Sequence, residues 1–135
     1  MKLVAAFVCG LALSGAACGS GDGGEAGFVS CTEAETVSGV GSVKICVETT
    51  GNEAQALQQS CNQASTSGTT TVTATFAAAP CSHVGALGAC RLTTGGITED
   101  GWYYNETIGD AGYTGLTSAD VQMLCTQEGA TFLPP

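Results

Sequence analysis

A chain of 135 residues with three basic and twelve acidic side chains carries a formal charge of −9. Nucleic-acid binding rests on Lys and Arg neutralising phosphates, and attraction to anionic lipid needs the same residues, so this balance argues against both. Length allows one domain. The body is rich in Thr, Ser, Gly and Ala, and a core so poor in large apolar residues needs covalent support.

The chain opens with one charge, Lys2, then an uncharged run from Leu3 to Leu13, then Ser14, Gly15, Ala16 and Ala17. A charged start, a short apolar core and a small-residue exit describe a secretory signal, here residues 1–17. The run is shorter than the roughly 20 apolar residues of a membrane-spanning helix. Leu13-Ser14-Gly15-Ala16-Ala17-Cys18 resembles the lipobox of bacterial lipoproteins, with Gly15 where that motif usually has Leu. Cleavage before Cys18 would expose a cysteine for diacylglycerol attachment. Cleavage after a small-x-small pattern, with free secretion, is the alternative. Residues 18–27 read as the anchored tether, since Gly19-Ser20-Gly21-Asp22-Gly23-Gly24 has flexible-coil composition. Gly19, rather than Asp, after Cys18 points by the same resemblance to the outer membrane or cell surface. Beyond residue 17 only Lys44 and Arg91 stand against twelve carboxylates, a side-chain charge of −10.

Residues 28–135 read as one disulfide-rich domain. With Cys9 lost in the leader and Cys18 lipidated, six cysteines remain: Cys31, Cys46, Cys61, Cys81, Cys90 and Cys125. An even count in a small exported chain reads as a disulfide framework. No Cys-x-x-Cys occurs, so neither zinc nor a thioredoxin-like centre is expected. Six cysteines allow 15 connectivities. Cys61–Cys81 is the one pairing preferred locally, because a helix-ending cysteine, a strand and a second cysteine make a compact loop.

Ordered structure is expected to begin at Phe28, Val29 and Cys31. Ser42 to Glu48 alternates, with Val43, Ile45 and Val47 opposite Lys44, Cys46 and Glu48, which is a half-buried strand. Asn52 is placed to cap a helix from Glu53 to Gln63, with Ala54, Leu57 and Cys61 on one face. Thr70 to Phe76 alternates again. Gly88 to Thr93 reads as a strand and Trp102 to Asn105 as its hairpin partner, with turn chemistry at Thr94-Gly95-Gly96 and at Glu99-Asp100-Gly101. Residues 107–115 read as a loop. Thr117 with Asp120 three residues on resembles a capping box, opening a helix from Ser118 to Gln127 that Gly129 ends. Ala130 to Leu133 is a last strand. The fold expected is therefore α+β, a small antiparallel sheet with two short helices and about three disulfides. Leu57 to Gln63 aligns with Val121 to Gln127, and Thr75-Phe76 with Thr131-Phe132, which suggests a two-fold strand–helix–strand repeat.

Ile45-Cys46, Cys61, Ala79-Pro80-Cys81, Leu87 to Cys90, Trp102 to Tyr104 and Cys125 to Phe132, in that order, resemble the small cysteine-rich lipoproteins of myxobacterial-type genomes. The resemblance implies a location and a scaffold. It carries no activity and no site to transfer.

Catalytic chemistry is hard to assemble from these residues. His83 is the sole histidine and no Gly-x-Ser-x-Gly elbow is present. Oxidised cysteines are not nucleophiles. Glu33/Glu35 and Glu99/Asp100, with Glu106 and Asp110, offer carboxylates without a fixed geometry for glycosidase chemistry or a calcium-loop motif. No metal or other cofactor is expected. Trp102, Tyr103, Tyr104 and Tyr113 are the candidate binding residues, for stacking on a glycan or a protein partner. The main expectation is a non-catalytic, lipid-anchored envelope module; the alternatives are a surface glycan- or protein-binding module on the aromatic strand and, more remotely, a small hydrolase using His83. The membrane is met through the N-terminal lipid only.

Overall fold

The computed structural model describes residues 27–37, 41–61, 64–106 and 115–135. The expected signal, Cys18, most of the tether, Asp110 and Tyr113 lie outside these residues. Seven strands form one sheet: β1 (Phe28–Val37), β2 (Gly41–Thr50), β3 (Ser65–Ser67), β4 (Thr70–Ala77), β5 (Ala86–Thr94), β6 (Ile97–Glu106) and β7 (Thr131–Leu133). Their order is β3-β4-β1-β2-β6-β5-β7, and every pairing is antiparallel. Two helices, α1 (Ala54–Ser60) and α2 (Ser118–Gln127), accompany it.

Side chains alternate across a sheet, so the registers define two faces. On one face α1 lies over β1 and β4, where Leu57, Cys31 and Cys61 pack with Val29, Val47, Ala74 and Phe76. On the same face α2 lies over β5, where Val121, Cys90 and Cys125 pack with Leu87, Tyr103, Ala130 and Phe132. On the opposite face a third cluster joins Cys46, Cys81, Ala86, Ala89, Trp102, Tyr104 and Leu133. This cluster exists because the 78–85 connection runs from β4 to β5 across the sheet, over β1, β2 and β6.

Local chemistry explains the boundaries. Thr117 and Asp120 form a complete capping box at α2: the Thr117 hydroxyl accepts from the Asp120 amide and the Asp120 carboxylate from the Thr117 amide. At the other end, Gly129 at φ 71° lets Gly129 N–H reach Thr126 O and Ala130 N–H reach Cys125 O, the paired bonds of a Schellman stop. Gly95 and Gly96, both at positive φ, turn β5 into β6 through a two-residue hairpin, the connection that needs glycine-like dihedrals.

Several expectations are corrected. Glu99-Asp100-Gly101 is not a turn but part of β6, paired with both Thr49–Val47 and Leu92–Cys90; two flanking strands outweigh the turn propensity of Asp and Gly. Asn52 does not cap α1: a 3-10 turn over Gly51–Glu53 leads in, and Glu53 is the cap without a side-chain bond. Residues 28–37, expected only as the start of order, form a ten-residue strand. Cys61 does not pair with Cys81. The disulfides are Cys31–Cys61, Cys46–Cys81 and Cys90–Cys125. Cys61 faces β1 beneath α1, whereas Cys81 sits on the crossing segment over the opposite face, so the sheet separates the two sulfurs.

Candidate functional site

The most elaborate polar arrangement lies under the crossing segment, and Glu48 is its centre. The β2–β6 register opposes Cys46 with Trp102 and Glu48 with Asp100, so Glu48 and Trp102 are diagonal neighbours on one face, within side-chain reach. Glu48 is only 5% exposed. A buried carboxylate demands partners. Its Oε1 accepts from the Trp102 indole N–H at 2.9 Å, and its Oε2 from the Cys81 amide at 2.7 Å. His83 Nε2 lies 3.5 Å from Oε1, and the imidazole stacks on the Trp102 indole with centroids 3.7 Å apart and planes at 21°.

Further bonds fix the same segment. Tyr104 donates its hydroxyl to the Ser82 carbonyl, and the Ala86 amide donates to the His83 carbonyl at 3.2 Å, closing a turn through Gly85 at φ 77°. Cys81 is bonded to Cys46 on β2, whose sulfur accepts from the Thr32 hydroxyl at 3.3 Å. Burial, and secondarily the Glu48 charge, push the Tyr104 phenol above its ordinary pKa, so this donor stays protonated. Lys44 Nζ stands 4.7 Å over the Tyr104 ring, within cation–π range.

One row further along the sheet, Arg91 on β5 faces Asp100 on β6. The guanidinium donates twice to the carboxylate, Nε to Oδ1 at 2.7 Å and Nη2 to Oδ2 at 2.6 Å. The hydrogen bond and charge of Asp100, and more weakly the charge of Glu48, raise the Arg91 pKa. Glu48 and Asp100, directly opposed carboxylates, are thus kept apart chemically: one is satisfied by N–H donors of the crossing segment and Trp102, the other by Arg91.

The candidate binding residues fall on both faces. Trp102 and Tyr104 are each 6% exposed, covered by the crossing segment. Tyr103 is half-buried and packs on the opposite face with the α2 cluster. The aromatic strand therefore serves the core at 102 and 104 and offers no open stacking platform there. Glu33 and Glu35 lie on β1, facing the side of α1. Glu99 sits on β6, its carboxyl pushed above the ordinary glutamate range first by burial and then by Glu53. Among the described residues no group of three or more His, Cys, Asp and Glu is arranged to hold a metal.

His83 was legible only as a lone loop histidine. Its partners stand 35 residues before it and 19 after it in the sequence, and only the crossing topology joins them. What the arrangement does chemically is hold a loop. Glu48 spends both oxygens on donors of the scaffold, and one face of the His83 ring is taken by Trp102. Comparison with protein-family models, curated proteins and solved structures gives no match to the chain.

Proposed function

We propose that the protein is a non-catalytic, lipid-anchored envelope protein whose folded part is a disulfide-stapled structural or interaction module. The observation that carries this reading is the complete mutual pairing of the six cysteines beyond the tether. Three disulfides in a small domain favour an oxidising, exported setting. With Cys9 in the apolar leader, only Cys18 is left without a disulfide role, as expected of an acylated N-terminal cysteine. Among the described residues no helix is long and apolar enough to cross a membrane, so in this reading the lipid is the attachment.

We also read the domain as two related halves about a pseudo-two-fold axis between β2 and β6. Five registers support it. Following the pairings across the sheet gives one row: Phe76, Cys31, Val47, Gly101, Cys90, Phe132. The row reads Cys-Phe outward from the centre in both directions. In each half a hairpin precedes a helix, the first hairpin strand is bonded to that helix, by Cys31–Cys61 or Cys90–Cys125, and a Thr-Phe strand follows beside it.

Mass spectrometry of the mature protein tests the anchor. The expected result is an N-terminal Cys18 carrying acyl chains; an unmodified N-terminus at another residue overturns it. Thiol titration of the denatured, unreduced protein is expected to find no free cysteine, and two or more reactive thiols would defeat the three-disulfide frame.

A further inference from the structure

We infer that the strip of sheet between α1 and α2 is a docking surface for a basic amphipathic helix of another protein. The inference rests on the reading of the domain as an interaction module and supplies its partner. The strip lies on the face that carries both helices. Its floor is Val43, Ile45 and Val47 of β2 with Gly101 and Tyr103 of β6, in register. α1 packs on β1 and β2, and α2 on β5 and β7. β1 and β5 are three strand spacings apart, about 14 Å. The helices therefore stand wider than the about 8–10 Å at which helices pack on one another. The floor between them is half-buried. Gly101 adds room, since a Cβ there would meet only the Cys90 carbonyl, at 3.9 Å.

α1 covers only part of its half. Its C-cap, Cys61, is bonded to Cys31, so the helix stops over the Cys31–Val47 row. Two further rows continue beyond it, Glu33 with Ile45 and Glu35 with Val43, and Val72 extends the second onto β4. α1 stops short of these rows, and α2 sits on β5 and β7. Apart from the two glutamates they are aliphatic. On the opposite face of the same sheet β4 presents Thr71, Thr73 and Thr75, all exposed. The chain thus uses threonine where β4 meets water, and Val, Ile and Tyr along the strip.

Charge selects the partner. Lys44 and Arg91 both lie on the opposite face, Lys44 over Tyr104 and Arg91 on Asp100. The buried carboxylates Glu48 and Asp100 lie there with them. The helix-bearing face holds carboxylates without a cation among the described residues. Glu33 and Glu35 stand on β1 beside one end of the floor. Glu99 on β6 and Glu53 before α1 stand at the other, and Glu128 ends α2. Burial, and then Glu53, disfavour the Glu99 anion, an effect that a partner's cation would offset. Phosphate-bearing partners are repelled by this face. So is a second copy, with its side-chain charge of −10. An apolar groove reads an amphipathic helix through one stripe of its side chains. Here that stripe fills the gap between α1 and α2, and flanking Lys or Arg meet the glutamates with their aliphatic stems on Val43 and Ile45.

The test uses the mature, isotope-labelled protein and a synthetic Leu/Lys peptide with its leucines on one helical stripe. Amide shifts are expected at Glu33, Glu35, Val43, Ile45 and Gly101, and none at Thr71, Thr73 and Thr75. Val43→Thr with Ile45→Thr should weaken binding about tenfold at unchanged charge, and Glu33→Gln with Glu35→Gln severalfold. No binding, shifts centred on the threonine face, or oligolysine bound as tightly as the Leu/Lys peptide overturns the proposal. Strip amides that move with protein concentration alone would show a second copy there, and Overhauser contacts from Ile45 to a remote segment of its own chain would show an internal cover. Either result also overturns it. Where the threonine variant does not fold, the shift map of the parent decides alone. Thiol titration of the same sample separates the two readings. No binding with no free cysteine refutes the partner alone, whereas two or more free thiols refute the stapled module and the strip with it.

Discussion

At the residue scale, Glu48 concentrates the consequences. A carboxylate accepts with both oxygens, and here both are used on buried donors. Glutamine keeps the shape but replaces one acceptor by an NH2 group, so either the Cys81 amide or the Trp102 indole loses its partner. A buried donor left unsatisfied costs about 1–3 kcal/mol. Glu48→Gln should lower stability by that amount in urea unfolding followed by Trp102, the only tryptophan in the chain; unchanged stability would mean that water replaces the carboxylate. Glu99 works with the opposite sign. Its native carboxyl holds a proton more tightly than in the unfolded chain, because burial and Glu53 disfavour the anion. The native state then binds more protons, and stability falls as pH rises through the native-state pKa. The penalty is present at neutral pH and absent below the unfolded-state value of about 4.3. Glu99→Gln should therefore stabilise at pH 7 by only a few tenths of a kcal/mol, given solvent screening at a half-exposed site, and should make no difference near pH 4. A gain that persisted at pH 4 would exclude this cause.

At the element scale, what the sequence disclosed depended on whether a signal was local. β4 alternates from Thr70 to Ala77 and α2 carries its own cap and stop, so both were readable. β1 was not, because Ser30-Cys31-Thr32-Glu33-Ala34-Glu35 has no apolar alternation; it becomes a strand by lying between β2 and β4. The cysteine partners were equally unreadable, since each follows from which face of the sheet a sulfur meets. Closing a loop of 30 to 35 residues stabilises by about 3.7 kcal/mol in the chain-entropy model, with native bridges generally contributing about 2–4. Replacing Cys90 and Cys125 together by alanine should cost that amount in urea unfolding, and a loss under about 1 kcal/mol would show that α2 docks without its bridge. The β5–β7 contact offers a sharper case. Gly88 sits at φ 140° beside a register shift, and a Cβ there would stand 2.5 Å from the Phe132 ring and 2.9 Å from the Leu133 carbonyl. The ring can move but the carbonyl is backbone. Gly88→Ala should destabilise by about 2–3 kcal/mol and detach β7, seen as faster hydrogen exchange at Phe132 than in the parent. Slow exchange there would show that the bulge absorbs the methyl group.

At the scale of the whole molecule, the seam between β2 and β6 determines whether the two halves behave as one. Each half has its own helix, disulfide and small apolar cluster, which on its own would allow them to melt separately. The seam opposes this. It pairs Ser42–Thr49 with Glu99–Glu106 over eight positions, as many as join β5 to β6 within one half. The crossing segment adds a second link, since it leaves the first half at Ala77, is bonded to β2 at Cys46 and rests on Trp102 of the second half. Separating the halves would expose Glu48 and break its bond to the indole together with the ladder. A domain of this size therefore should unfold in one step. In urea, far-ultraviolet circular dichroism, which reports the whole sheet, and Trp102 fluorescence, which reports the seam, should trace the same transition with one midpoint. Removing the clip by Cys46→Ala with Cys81→Ala should lower that midpoint while the two probes stay coincident, because the ladder remains. Fluorescence running ahead of circular dichroism in the parent protein would show instead that the halves part before they melt, and that the seam is weaker than the hairpins on either side of it.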